Sequence, residues 1–152
     1  MSIKTINVVG DPRRMERTAA AAITPGMLCE ITSADKFQAH STAGGSAYSL
    51  FALEDENRGK EIGDAYAADN VCLAAMFGPG DEVYALLANG ETAVIGSKLE
   101  SNGDGYLRVV DADVSVGDIG IGSIVAVALE ALDMSGSSGA DPASQRIKIL
   151  II

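Results

Sequence analysis

Hydrophobic positions along this chain come in short runs, each closed by a turn signal. The densest succession lies in residues 78–110. Gly78-Pro79-Gly80-Asp81 breaks the chain, residues 83–87 form an apolar segment, and Asn89-Gly90 turns it. Residues 92–95 follow, Gly96-Ser97 interrupts, and Leu99 anchors the next step. Asn102-Gly103-Asp104-Gly105 turns the chain again before residues 106–110. Asn and Gly tolerate positive φ, so Asn-Gly between apolar runs predicts a hairpin. Gly80, Gly90, Gly103 and Gly105 are the expected turn positions. Short strands with turns about every ten residues predict an all-β fold, a small barrel or sandwich of short antiparallel strands. The stretch carries no His, no Cys and no phosphate-cradling loop, so it reads as scaffold.

The rest of the body follows the same pattern. Residues 27–32 and 37–41 predict a hairpin around the turn at 33–36. Residues 48–53 predict a strand that runs into the acidic Glu54-Asp55-Glu56, and residues 57–64 predict a polar loop. Residues 71–77 are almost continuously apolar, which fits a strand buried on both faces, in a barrel or in an interface between chains. Residues 123–132 are the most apolar segment. Ile124, Val125 and Val127 favour strand at its start, while 128–132 fits strand or helix. Residues 133–144 are a Gly- and Ser-rich loop. The chain then alternates Ile147, Ile149 and Ile151 with Arg146, Lys148 and Leu150. Such an end is expected to close the barrel or to pack on another chain.

Residues 1–22 behave differently. Ile3, Ile6 and Val8 give a strand-like alternation, Gly10-Asp11-Pro12 breaks it, and residues 13–22 have helix-compatible composition without a clear apolar face. The expectation is an extended N-terminal arm, residues 1–22, that orders on a partner, attached to a single β-rich body, residues 23–152. The competing reading is an ordinary first strand of the body's own sheet.

Charge sharpens this division. The net charge is −10, and a pI near 4.4 argues against gripping nucleic acid, which needs a basic face. Yet residues 1–24 carry four basic side chains against two acidic, a net of +2, and the remainder carries seven against nineteen, a net of −12. A mildly basic arm on an acidic body suits an acidic partner; an ordinary solvated terminus is the alternative. Cys29 and Cys72 sit in apolar runs and form no CxxC pair, which predicts buried free thiols, with a disulfide as the second reading. No signal peptide and no apolar run near 20 residues is found, so neither export nor a membrane span is expected.

Candidate chemistry is sparse. His40 is the one histidine, beside Ser41 and Thr42, with nothing near it to build a nucleophilic site. The carboxylates of residues 54–64 miss the twelve-residue calcium-loop spacing and are interleaved with Arg58 and Lys60. Asp111, Asp113 and Asp118 meet no metal motif. No catalytic residue, cofactor or metal is expected.

Several short motifs together point to a family. They are Gly-Asp-Glu-Val-Tyr-Ala-Leu-Leu at 80–87, Asn-Gly-Glu at 89–91, Gly-Ser-Lys-Leu-Glu-Ser at 96–101, Asn-Gly-Asp-Gly-Tyr-Leu at 102–107, Ala-Val-Ala-Leu-Glu-Ala at 126–131 and Arg-Ile-Lys-Ile at 146–149. The chain resembles the head decoration, or capsid cement, proteins of tailed bacteriophages over residues 23–152, most closely over 78–110. Family members often carry Gly-Asp where this chain has Gly96-Ser97. The resemblance implies a β-rich body and a virion location on the outer capsid surface. It further implies oligomers, commonly homotrimers, seated on the major capsid protein between capsomers, and no enzymatic activity. From the alternation, the break at Gly10-Asp11-Pro12 and the local charge, Ile3, Ile6 and Val8 are expected to add a strand or an apolar plug to the shell, with Arg13, Arg14 and Arg17 pairing with capsid carboxylates. Other readings are a tail or spike module and a small β-barrel binding a saccharide or peptide. The absence of Trp counts against the saccharide.

Overall fold

A computed structural model describes residues 3–110, 123–136 and 144–152. Among the described residues there are thirteen strands: β1 (Asn7–Val9), β2 (Arg13–Thr18), β3 (Cys29–Ile31), β4 (Phe37–Ala39), β5 (Leu50–Ala52), β6 (Val71–Met76), β7 (Glu82–Ala88), β8 (Thr92–Ala93), β9 (Lys98–Ser101), β10 (Leu107–Val109), β11 (Ile124–Ala128), β12 (Leu132–Asp133) and β13 (Ser144–Ile151). Among the described residues the one helical element is a 3-10 turn, Glu56–Arg58. The fold is all-β.

Five strands close a barrel in the order β7, β10, β9, β11, β13 and back to β7. The closing strand is the one with the cleanest period of two. Ile147, Ile149 and Ile151 are buried while their neighbours face outward. β13 pairs antiparallel with β11 through Ala126↔Ile151 and with β7 through Ile147↔Ala85, so one strand satisfies two edges. β10 lies parallel to β7, an exception to the antiparallel expectation. The β9–β10 hairpin forms on the predicted turn, with Gly103 and Gly105 at positive φ. There Ser101 Oγ accepts the Gly103 N–H and Asp104 Oδ1 accepts the Tyr106 N–H.

A second sheet, β2–β6–β5, packs on the same core. β6 is its middle strand, and Cys72, Leu73, Ala74 and Ala75 are buried. The β3–β4 hairpin adjoins this sheet through single bridges, Leu28↔Phe51 and Ala19↔Phe37. Phe37 and Phe51 are fully buried, and Phe51 meets Phe77 edge-on at 6.0 Å. Cutting either buried ring to Ala would cost about 3–5 kcal/mol.

Three expectations need correction. The extended arm is not what the structure contains: β1 pairs with β7, β2 pairs with β6 over six residues, and Ile6 is fully buried. Residues 13–18 are strand despite helix-compatible composition, because the apolar β6 needs a second neighbour and pairing outweighs local propensity. Asn89-Gly90 turns the chain, with Gly90 at positive φ, but makes no β7–β8 hairpin. β13 runs along one edge of β7 while β1 and β10 share the other, so no edge is left. β8 instead pairs with β12. The run at 71–77, for which an interface between chains is one of the two expectations, is largely spent on the chain's own core, and so are Val125, Ala126 and Ala128. Asp111, Asp113, Asp118 and most of the loop predicted at 133–144 lie outside the described residues.

Candidate partner-binding surface

The basic residues named from the sequence lie together on β2. Arg13 is exposed and makes no ion pair among the described residues. Arg14 reaches Glu56 at 3.2 Å, with both side chains more than half exposed. Arg17 is more committed: its Nε donates to Asp35 Oδ1 at 2.6 Å and its guanidinium lies 5.5 Å over the Phe37 ring. Asp35 holds the β3–β4 turn at φ 57°, a conformation Asp tolerates. Exposed pairs of this kind contribute about 0–1 kcal/mol each, so a better partner can displace them.

The apolar residues expected beside them are not gathered into a plug. Ile6 is in the core, and its N–H donates to Glu54 Oε2 at 3.1 Å. The Thr5 hydroxyl donates to Glu54 Oε1 at 2.6 Å, so one carboxylate pins the N-terminal segment. Ile3 and Val8 are half-buried. Ile3 lines a shallow groove of about 320 Å³ with Lys4, Glu61 and Ile62. Beside it, Arg146 donates to the carbonyls of Pro25 (2.8 Å) and Ile62 and sits 5.9 Å from the Tyr84 ring. Burial pushes its pKa below the ordinary arginine value. Its partners are carbonyls and a ring, so its work is to fasten two loops to β13.

Gly80, Gly90, Gly103 and Gly105 all adopt positive φ. At Gly80 and Gly90 a Cβ would meet open space, whereas at Gly105 it would lie 2.9 Å from Ala39 Cβ.

Elsewhere polar groups serve the scaffold. His40 is buried, with Nε2 donating to the Ser46 carbonyl at 3.1 Å and Nδ1 2.7 Å from Ser101 Oγ. Glu30 Oε2 lies 3.7 Å from His40 Nε2. Burial pushes the Glu30 carboxyl up, but hydrogen bonds from Ser41 and Gln38 and the nearby His40 hold it below its usual value. Arg108 Nε donates to the buried Glu100 at 2.9 Å. Cys29 and Cys72 are buried and free. Burial pushes both thiols up, Cys72 to about 12 with help from Asp55. Among the described residues, no three His, Cys, Asp or Glu side chains converge as metal ligands.

The sequence reading missed the turn at Val94-Ile95-Gly96-Ser97. Ser97 N–H donates to the Val94 carbonyl and Ser97 Oγ accepts the Val94 N–H. Val94 and Ile95 are left 59% and 71% exposed, the two most exposed large apolar residues described. An apolar pair followed by Gly-Ser is the signal the sequence offers for this turn.

No protein-family model matches the chain, and no curated protein matches it significantly. Among solved structures it is similar to the N base of head fiber gp8.5 in bacteriophage phi29, at 10% identity and a TM-score of 0.55. The alignment covers 91% of this chain and 92% of that one, so the likeness is of the whole fold.

Proposed function

We propose that this chain is a structural protein of a tailed-phage virion, one that decorates the outside of the expanded capsid and stabilises it without catalysis. The observation that carries this reading is the fold shared end to end with a phage head fiber base. The motif resemblance to head decoration proteins, strongest over 78–110, points the same way. Three of the five barrel strands, β7, β9 and β10, come from that stretch.

The physical logic is linkage. A protein that binds only the expanded lattice stabilises that state by RT ln(1 + [L]/Kd), about 2.7 kcal/mol per site at a hundredfold excess over Kd. Repetition over one shell lets each contact be weak. The partner is the major capsid protein, the oligomer is a homotrimer, and nucleic acid and membrane have no part. An acidic chain suits a shell exterior facing neither DNA nor lipid.

Co-sedimentation with purified shells tests this. Expanded shells should carry the protein at fixed stoichiometry and unexpanded shells should stay largely bare. Equal binding to both, or to neither, contradicts the proposal.

A further inference from the structure

β2 is the edge of its sheet, and among the described residues its outer side is open over Arg13–Glu16. The ladder with β6 alternates, and the Ala19 N–H to Asn70 carbonyl bond sets its phase. That phase turns the backbone groups of Arg13, Met15 and Arg17 toward β6 and those of Arg14 and Glu16 away from it. β4 meets β2 only at its far end, through Ala19↔Phe37, with Ala20 N–H donating to the Phe37 carbonyl. From there the β3–β4 turn ends beside Arg17, at Asp35. Over Arg13–Glu16 no described strand covers the edge.

We propose that this edge accepts an extended acidic segment of another polypeptide, which adds as a strand beside Arg14 and Glu16. Strand addition draws affinity from main-chain hydrogen bonds and specificity from the side chains alongside. Here the main-chain groups are two N–H and two C=O, and the side chains are Arg13, Arg14 and Arg17 against a single Glu16. The strand is thus net +2 on a chain of −10. That sign selects the occupant. Pairing two copies of β2 would set +2 against +2, and charged edge strands commonly act to block such self-pairing. An acidic strand meets the unpaired Arg13 and can take over Arg14 from its exposed pair with Glu56. The inference rests on the proposed virion role for the identity of the partner, and names the surface that would be used.

The test uses the full chain and a synthetic ten-residue peptide of alternating Glu and Val. Residue-resolved hydrogen exchange should show the Arg14 and Glu16 amides slowing at least tenfold with millimolar peptide, while Met15 and Arg17 stay as in the free protein. Glu16→Pro removes one outward N–H and no ladder bond, a place where edge strands accept Pro. It should keep the melting transition and weaken peptide binding at least tenfold. Arg13→Glu serves where the Pro variant does not fold, and should weaken binding more at low salt than at high. Unchanged exchange at Arg14 and Glu16 overturns the proposal. So does concentration-dependent protection of them in protein alone, which would make the occupant a second copy. Peptide protection without shell binding would sink the virion role and leave the edge standing. Shell binding with these amides still exchanging freely would do the reverse.

Discussion

At the residue scale the fold depends on where backbones touch. The Gly105 carbonyl accepts the Leu28 N–H and its own N–H donates to the His40 carbonyl, joining the β9–β10 turn to the β3–β4 hairpin. At φ +85° an added Cβ would also lie 3.1 Å from Met27 Cγ, whereas Gly90, at φ +90°, faces open space. Gly90→Ala should therefore cost only the left-handed backbone term, about 1–2 kcal/mol. Gly105→Ala should add about 1–3 kcal/mol of overpacking. Urea unfolding of the two variants measures the difference, and equal losses would mean the approach at Gly105 is looser than described. The thiols give a second check. Burial keeps both protonated at pH 8. A thiol reagent should modify neither Cys29 nor Cys72 in the native protein and both after denaturation. Fast labelling of either before unfolding would contradict their burial.

At the element scale, β13 is the strand whose removal should be fatal. Deleting residues 147–152 takes away three buried isoleucines, each worth about 1.5–3 kcal/mol. It also opens the barrel between β11 and β7. The loss approaches the whole stability of a typical domain, about 5–15 kcal/mol. The truncated chain should be insoluble or lack a cooperative transition; a soluble product that melts normally would refute the closing role. Deleting residues 3–12 removes Ile6 and β1 and should lower the melting midpoint, where a loose arm would leave it unchanged.

These elements also mark what the sequence made legible. β13, β6 and the hairpins at 27–41 and 98–109 were readable because their signals are local: alternation, an apolar run, a Gly turn. The pairing of Arg13–Thr18 with Val71–Met76 was not, because its partner lies far along the chain. Asn89-Gly90 misled for the same reason, since only the full sheet order shows both edges of β7 occupied. The surface was half legible. Charge singled out Arg13, Arg14 and Arg17, but nothing local tells that Arg17 is held by Asp35 and Phe37, or that His40 meets a serine 61 residues away.

At the scale of the whole molecule, the proposed role requires an assembly. A homotrimer should scatter light as about three times 15.6 kDa, free or once released from shells. A monomer in solution and on the shell would refute it. Because β6 and β11 are largely spent on the chain's own core, exposed apolar groups such as Val94 and Ile95 would have to make the proposed interface. The most direct measurement is an electron cryo-microscopy reconstruction of the virion at subunit resolution. The account predicts trimeric density of this β-barrel on the outside of the expanded shell, with Arg13–Thr18 facing a strand of the major capsid protein. Density for this chain in the tail, or none on the head, would contradict it.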